Sequence, residues 1–234
     1  MSKTKDNTFV FTTGCPGSMW SMISHRVKRN FFKGFDNSDE TPERSYFLPE
    51  DHKNTNYTST TDLWKAKTHI GSYFGPDHGM GEKFDDLTYY DGRVEDFYAE
   101  CMTPYNNPSR PFKLIKCHWF AYNLDWIWNN CKGHYLFMIW REPEFAEKWW
   151  YSMGGWEIKH PVYTWYGTPE RMHDAIIEEN RLIDEFGQRL NIHWYDYTAD
   201  DVWIEQRFGR PLNQEGRSMP VVEGKIRVSY TKIV

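Results

Sequence analysis

The chain has 234 residues, 39% of them hydrophobic, which suits one sizeable core and falls short of two, so a single domain over residues 1–234 is expected. With 26% charged residues and no apolar run of about 18 or more, a membrane-embedded protein is excluded. The net charge of -5 offers no basic face for nucleic acid, although cations gathered in one cleft can still hold a small anion.

The opening MSKTKDNTFVF has no long apolar run before a small-residue cleavage site, so export is not expected. Cys15, Cys101, Cys117 and Cys131 are scattered without a C-x-x-C pair or zinc spacing, which speaks for no metal and for a reducing cytoplasm.

Taken in chain order, Phe9 to Thr13 is expected as the first strand and Ser18 to Asn30 as the first helix. Between them GCPGSMWS is a strand-to-helix turn of small residues. Gly14 and Gly17 let the backbone wrap an anion while the first helical amides point at it. It is not a Walker A loop, because Trp20 stands where that motif has lysine.

A loop-rich excursion follows, over about residues 36–111. Its Asp36 to Thr61 part is polar with no sustained period, as in a lid, and His69 to Gly81 reads as a further loop able to gate an acceptor site. His78 is read as a solvated loop residue, and His69 is left open.

The second half predicts a strand over Phe112 to His118, a helix over Ala121 to Asn130 and a nearly continuous apolar strand over His134 to Trp140. Glu142 to Met153 reads as a helix with Pro143 in its first turn, and Thr168 caps a longer helix reaching about Leu190. The acidic stretch 176–186 is read as its amphipathic part with one solvated face. A strand over Asn191 to Tyr195, a helix over Ala199 to Phe208 and a strand in the tail GKIRVSYTKIV complete the pattern.

This order predicts an α/β protein: a three-layer fold with a mostly parallel central sheet flanked by helices, and ligands beyond the carboxyl ends of the strands. GCPGSMWS, IKCH and WREP all fall at such ends. Ser21, His118 and Arg141 are therefore expected near one crevice.

With these motifs in order, the chain resembles the phosphoadenosine phosphosulfate-dependent sulfotransferases, a P-loop-containing family. TTGCPGSMWSMI is similar to the family's T-G-x-P-[RK]-[ST]-G-T-[ST] loop, FKLIKCHWFAYNLDWI to its strand ending K-T-H, and LFMIWREPEFAEKWW to its I-x-x-x-R-[ND]-P segment. The likeness is nearest to divergent sulfotransferase-like proteins of marine phage and bacterial genomes. These carry a P-G-S-[KR]-W-S loop, an H-x-G-x-Y-F-x-P segment and a [KR]-W-W helix. Together the matches cover about a fifth of the chain.

The resemblance implies sulfuryl transfer from 3′-phosphoadenosine 5′-phosphosulfate to a hydroxyl or amine of a small-molecule or carbohydrate acceptor, leaving 3′-phosphoadenosine 5′-phosphate. It implies that Gly14, Cys15, Pro16, Gly17, Ser18, Met19, Trp20 and Ser21 cradle the 5′-phosphate. His118 would be the general base and Lys116, two residues earlier on the strand, would neutralise developing charge. Arg141 would clamp the 3′-phosphate.

The chain also departs from the family. Gly17 occupies the loop's cation position, and Met19 stands where the phage-like loop has [KR]. Trp149 replaces a serine ligand, for which Lys148 is the possible substitute, and GRPLNQEGR, with Arg210 and Arg217, stands for the basic C-terminal loop.

Plainer roles exist for each residue. His118 could be structural, Arg141 could pair with Glu142 or Glu144, Lys148 could be solvated, and the Trp and Tyr residues 126, 128, 156, 165 and 166 could fill a core rather than line an acceptor pocket. Two other functions fit the same loop: a nucleotide or small-molecule kinase, and a non-catalytic nucleotide- or sulfate-binding module. The missing Walker lysine counts against the kinase.

Overall fold

Thr8–Gly14 forms strand β1, and every residue from Phe9 to Gly14 is buried, as expected of a strand covered on both faces. The computed structural model describes residues 7–19, 23, 72–75, 81–103, 105, 112–152, 166–197 and 223–234. In it β1 lies between β3 (Phe112–Lys116) and β4 (Tyr135–Arg141) and runs parallel to both. A short β2 (Ser72–Tyr73) extends the parallel set beyond β3. On the other side β6 (Ile226–Lys232) pairs antiparallel with β4, and β5 (Tyr195–Tyr197) antiparallel with β6. The sheet order is β2-β3-β1-β4-β6-β5. The expected α/β class holds, but the sheet is mixed rather than mostly parallel, because the tail returns against β4.

Period-two alternation assigns the two faces. Phe9, Phe11, Ile115, Leu136 and Met138 share one core with buried residues of α1 (Val94–Met102), α2 (Leu124–Asn130) and α4 (Pro169–Arg189). Val10, Leu114, Phe137 and Ile139 pack on the other side with Ile23 and with Trp149 of α3 (Pro143–Ser152). Phe9 stacks on Tyr98 and Phe11 on Phe97, at 5.2 and 5.4 Å between ring centroids, and each fully buried aromatic contributes about 1.5–3 kcal/mol.

Several boundaries differ from expectation, each for a local reason. β3 stops at Lys116, and His118 opens a 3-10 helix that leads into α2. The excursion is not loop-rich throughout, since it holds a 3-10 helix at Leu87–Tyr90, capped by the Asp86 side chain, and then α1. Within the expected loop 69–81, Ser72 and Tyr73 pair with Ile115 and Lys116 as β2.

Residues 191–194 are not strand. They complete the C-terminus of α4, where Asn191 takes φ +49, its N–H reaches Gln188 O and Ile192 N–H reaches Gly187 O, a Schellman arrangement. At the other end of α4, Thr168 accepts from Arg171 N–H with Pro169 in the first turn, as the sequence implies. The stretches 36–61 and 199–208, and all of the first helix except Ile23, lie outside the described residues, as does His78.

His134 makes stability pH-dependent. Its Nδ1 accepts from Phe9 N–H at 3.3 Å, it packs edge-on against Phe9, Phe11 and Tyr98, and burial pushes its imidazole down to about 4. The folded protein keeps this ring neutral while the unfolded chain protonates it near about 6.5. Stability is therefore expected to fall as pH drops from about 6.5 toward about 4. Urea midpoints between pH 7.5 and 4.5 check this. His134→Phe should flatten that slope.

Candidate functional site

The chain leaves β1 toward β3 on one side and crosses to β4 on the other, so the carboxyl end of β1 is the switch point of the parallel strands. Directly after it, Ser18 N–H donates to Cys15 O at 3.0 Å across a turn centred on Pro16 and Gly17. Gly17 has φ +76, the left-handed third position that a Pro-Gly type II turn requires. Met19 follows at φ +67, and Ile23 N–H donates to Met19 O at 3.0 Å, which starts the helix. Packing of the Met19 side chain among Val10, Ile23 and Trp149 holds this uncommon conformation.

The turn explains its missing cations. A Cβ on Gly17 would stand 1.9 Å from Ala146 O of α3, so no side chain is tolerated where the family loop has its cation. Met19 is buried apolar packing. At Gly14, a Cβ would come within 2.7 Å of Ser18 Oγ and 3.1 Å of Ile139 O, so only glycine lets the end of β1 pack this closely against both. Ser18 Oγ is buried there and has no hydrogen-bond partner among the described residues. A buried hydroxyl left this way costs stability unless a ligand uses it. Ser18→Ala is accordingly expected to leave the urea midpoint unchanged or to raise it by about 1 kcal/mol equivalent while weakening anion binding.

Of the three residues expected near one crevice, His118 and Arg141 each contact the β1 turn, and Ser21 lies outside the described residues. His118, at the end of β3, places Nδ1 2.5 Å from Gly14 O, and its own carbonyl accepts from Thr13 Oγ1 at 3.2 Å. Because that carbonyl can only accept, Nδ1 carries the proton of the neutral ring, which leaves the lone pair on Nε2. The ring is almost wholly shielded, at 2% exposure. Lys116 is fully buried and lies on the Leu114 face of β3. Strand alternation ends there, so it does not place Lys116 and His118 on one side.

Arg141, at the end of β4, is also buried. Its Nη1 donates to Gly17 O at 2.8 Å, its Nη2 to Glu223 O at 3.1 Å, and the guanidinium lies over Trp149. It braces the turn against the segment that enters β6. Burial lowers its pKa to about 10, which leaves it charged at neutral pH. Neither Glu142 nor Glu144 is its partner: Glu142 accepts from Lys225 N–H, and Glu144 pairs with Lys148 at 2.7 Å. Lys148 is exposed. Cys15 is buried, and Pro16 occupies the turn. Trp20, Ser21, Arg210 and Arg217 lie outside the described residues, as do Trp156 and Trp165. Trp126 belongs to the core and donates to Asp91, and Trp128 packs against the same core.

Two residues complete the site without having been singled out for it, Glu179 and Asn180, and Tyr166, weighed above as pocket or core, joins them. Glu179 of α4 is fully buried, with Oε2 3.6 Å from His118 Nδ1, and Tyr166 OH donates to its Oε1 at 3.4 Å. Burial pushes the Glu179 carboxyl up, and His118 pulls it partly back. Asn180 accepts from Arg141 N–H and donates to Cys15 Sγ, both at 3.2 Å, so one helical turn ties β4 to the β1 turn. The signal was there. Met172, Ile176, Glu179, Asn180, Ile183 and Phe186 fall at helical spacing on one buried stripe, so only the remaining acids of that stretch belong to the solvated face.

Comparison with family models, curated proteins and solved structures finds no match for this chain. Among the described residues, no group of three or more His, Cys, Asp or Glu side chains is arranged to hold a metal ion, and no helix is long and apolar enough to cross a membrane.

Proposed function

We propose that the chain is a sulfotransferase-like enzyme of the P-loop type, moving a sulfuryl group from 3′-phosphoadenosine 5′-phosphosulfate to a hydroxyl or amine. One observation carries the reading. The three segments matched to the family meet at the carboxyl ends of adjacent parallel strands, where His118 contacts Gly14 and Arg141 contacts Gly17.

The donor set fits an anion in part. The buried Ser18 hydroxyl suits a phosphate oxygen, whereas the loop itself supplies no cation. Bound there, the cofactor would supply the activated sulfuryl group. His118 Nε2 would take the proton from the acceptor hydroxyl, and Lys116 would offset negative charge at the end of β3. The acceptor must gain access to a ring now shielded. To hold a 3′-phosphate, Arg141 would exchange a carbonyl contact for it, or use Nε, which has no hydrogen-bond partner among the described residues.

A second reading has its own support. Arg141 is committed to backbone carbonyls and Gly17 forbids a loop cation, as suits a non-catalytic nucleotide- or sulfate-binding module. The test is incubation with the phosphosulfate cofactor and a panel of hydroxyl and amine acceptors, following release of 3′-phosphoadenosine 5′-phosphate. Acceptor-dependent release supports transfer. Tight binding without release favours the module, and magnesium-dependent ATP turnover would favour a kinase.

A further inference from the structure

We infer that Glu179 is the positioning residue of His118, a buried carboxyl 3.6 Å from its Nδ1 that holds the ring and carries the counter-charge when Nε2 takes a proton. The inference deepens the functional reading above, in which His118 takes a proton, and it assigns that proton's counter-charge to α4.

The geometry divides the work between two contacts. Gly14 O, 2.5 Å from Nδ1, fixes the tautomer, and Glu179 Oε2, 3.6 Å from the same nitrogen, carries the counter-charge when the ring is protonated, His118 then offsetting the rise that burial imposes on that carboxyl. When Nε2 accepts a proton, the positive charge spreads over a ring already beside a carboxylate, which favours the protonated state. Oε2 has no hydrogen-bond partner among the described residues, so the carboxylate is held by Tyr166 on one oxygen and leaves the other toward the imidazole. A charge buried this way is costly unless paired, and His118 is the group within ion-pair distance.

The other titratable groups around the pair are few in kind. Tyr166 precedes α4, Cys15 comes from the β1 turn, Cys117 and buried Lys116 from the β3 end, Tyr122 from the following 3-10 helix and Arg141 from β4. Burial holds both thiols and Tyr122 well above neutral pH, so they stay uncharged there. Arg141 stays charged throughout. Glu179 is therefore the acid whose removal changes the charge beside the ring.

The test is an NMR titration of the His118 imidazole, assigned by its loss in His118→Gln, in the wild type and in Glu179→Gln. The apparent pKa is expected to fall by about 1 unit or more in Glu179→Gln, with the His134 signals unmoved. An unchanged His118 titration overturns the inference. If Glu179→Gln does not fold, Tyr166→Phe substitutes. Stripping one donor from the carboxylate is expected to raise the His118 pKa, and no movement there overturns the inference equally. Neither readout needs turnover, so a failed transfer assay and a failed pairing are told apart. Where transfer is measurable, the acidic limb of the pH–rate profile should move down with the His118 pKa.

Discussion

Gly17→Ala is expected to destabilise the protein by about 2–5 kcal/mol, the largest loss from removing no contact at all. About 1–2 kcal/mol comes from placing a Cβ at positive φ and about 1–3 kcal/mol from forcing it into a packed region. The obstacle is Ala146 O at 1.9 Å, a backbone atom of α3 that no rotamer change can move. The turn would have to lift off α3, which also strips Arg141 of its Gly17 acceptor.

Gly92→Ala is the control. Gly92 has φ +69 but nothing within 4 Å of the added atom, so it should lose only about 1–2 kcal/mol. Urea denaturation of both variants separates conformation from clash. Equal losses would show that the turn does not rest on α3. The same contact means that Gly17→Lys cannot restore the family's loop cation, and should resemble or exceed Gly17→Ala in its damage.

On the proposed reading, the largest effect on activity is expected from His118→Ala, a fall in sulfuryl transfer of about 10²–10⁴-fold with cofactor binding nearly intact. His118 is buried and anchors Gly14 O, so His118→Gln is measured beside it to keep a hydrogen-bonding side chain in place. Steady-state rates and cofactor titrations on both variants separate chemistry from binding. Full activity in either would remove His118 as the base.

Much of this arrangement was legible before any coordinates. The strand cores of β1, β3 and β4 announced themselves as apolar runs, and the glycine turn after β1, the histidine after β3 and the arginine ending β4 do meet. Thr168 and Pro169 gave the start of α4 through capping chemistry alone.

What escaped the sequence was long-range. Nothing in IRVSYTK says that it runs antiparallel to β4, because alternation is blind to direction. Glu179 and Asn180 sit in a run of acids whose composition suggests solvent, and only the helical stripe shared with Ile176 and Ile183 brings them inward. The resemblance implies a ligand clamp at Arg141, yet its guanidinium is used on the protein's own carbonyls. That use depends on residue 223, which no local pattern links to residue 141.

The central claim is that the β1 turn is an anion site able to take a 3′-phosphorylated nucleotide. Calorimetric titration of the full chain with 3′-phosphoadenosine 5′-phosphate, against ADP and against ATP with magnesium, tests it most directly. The account predicts selective micromolar-class binding, on the order of -8 kcal/mol, that weakens in Ser18→Ala without loss of fold. Preference for ATP, or binding of none of the three, would contradict it.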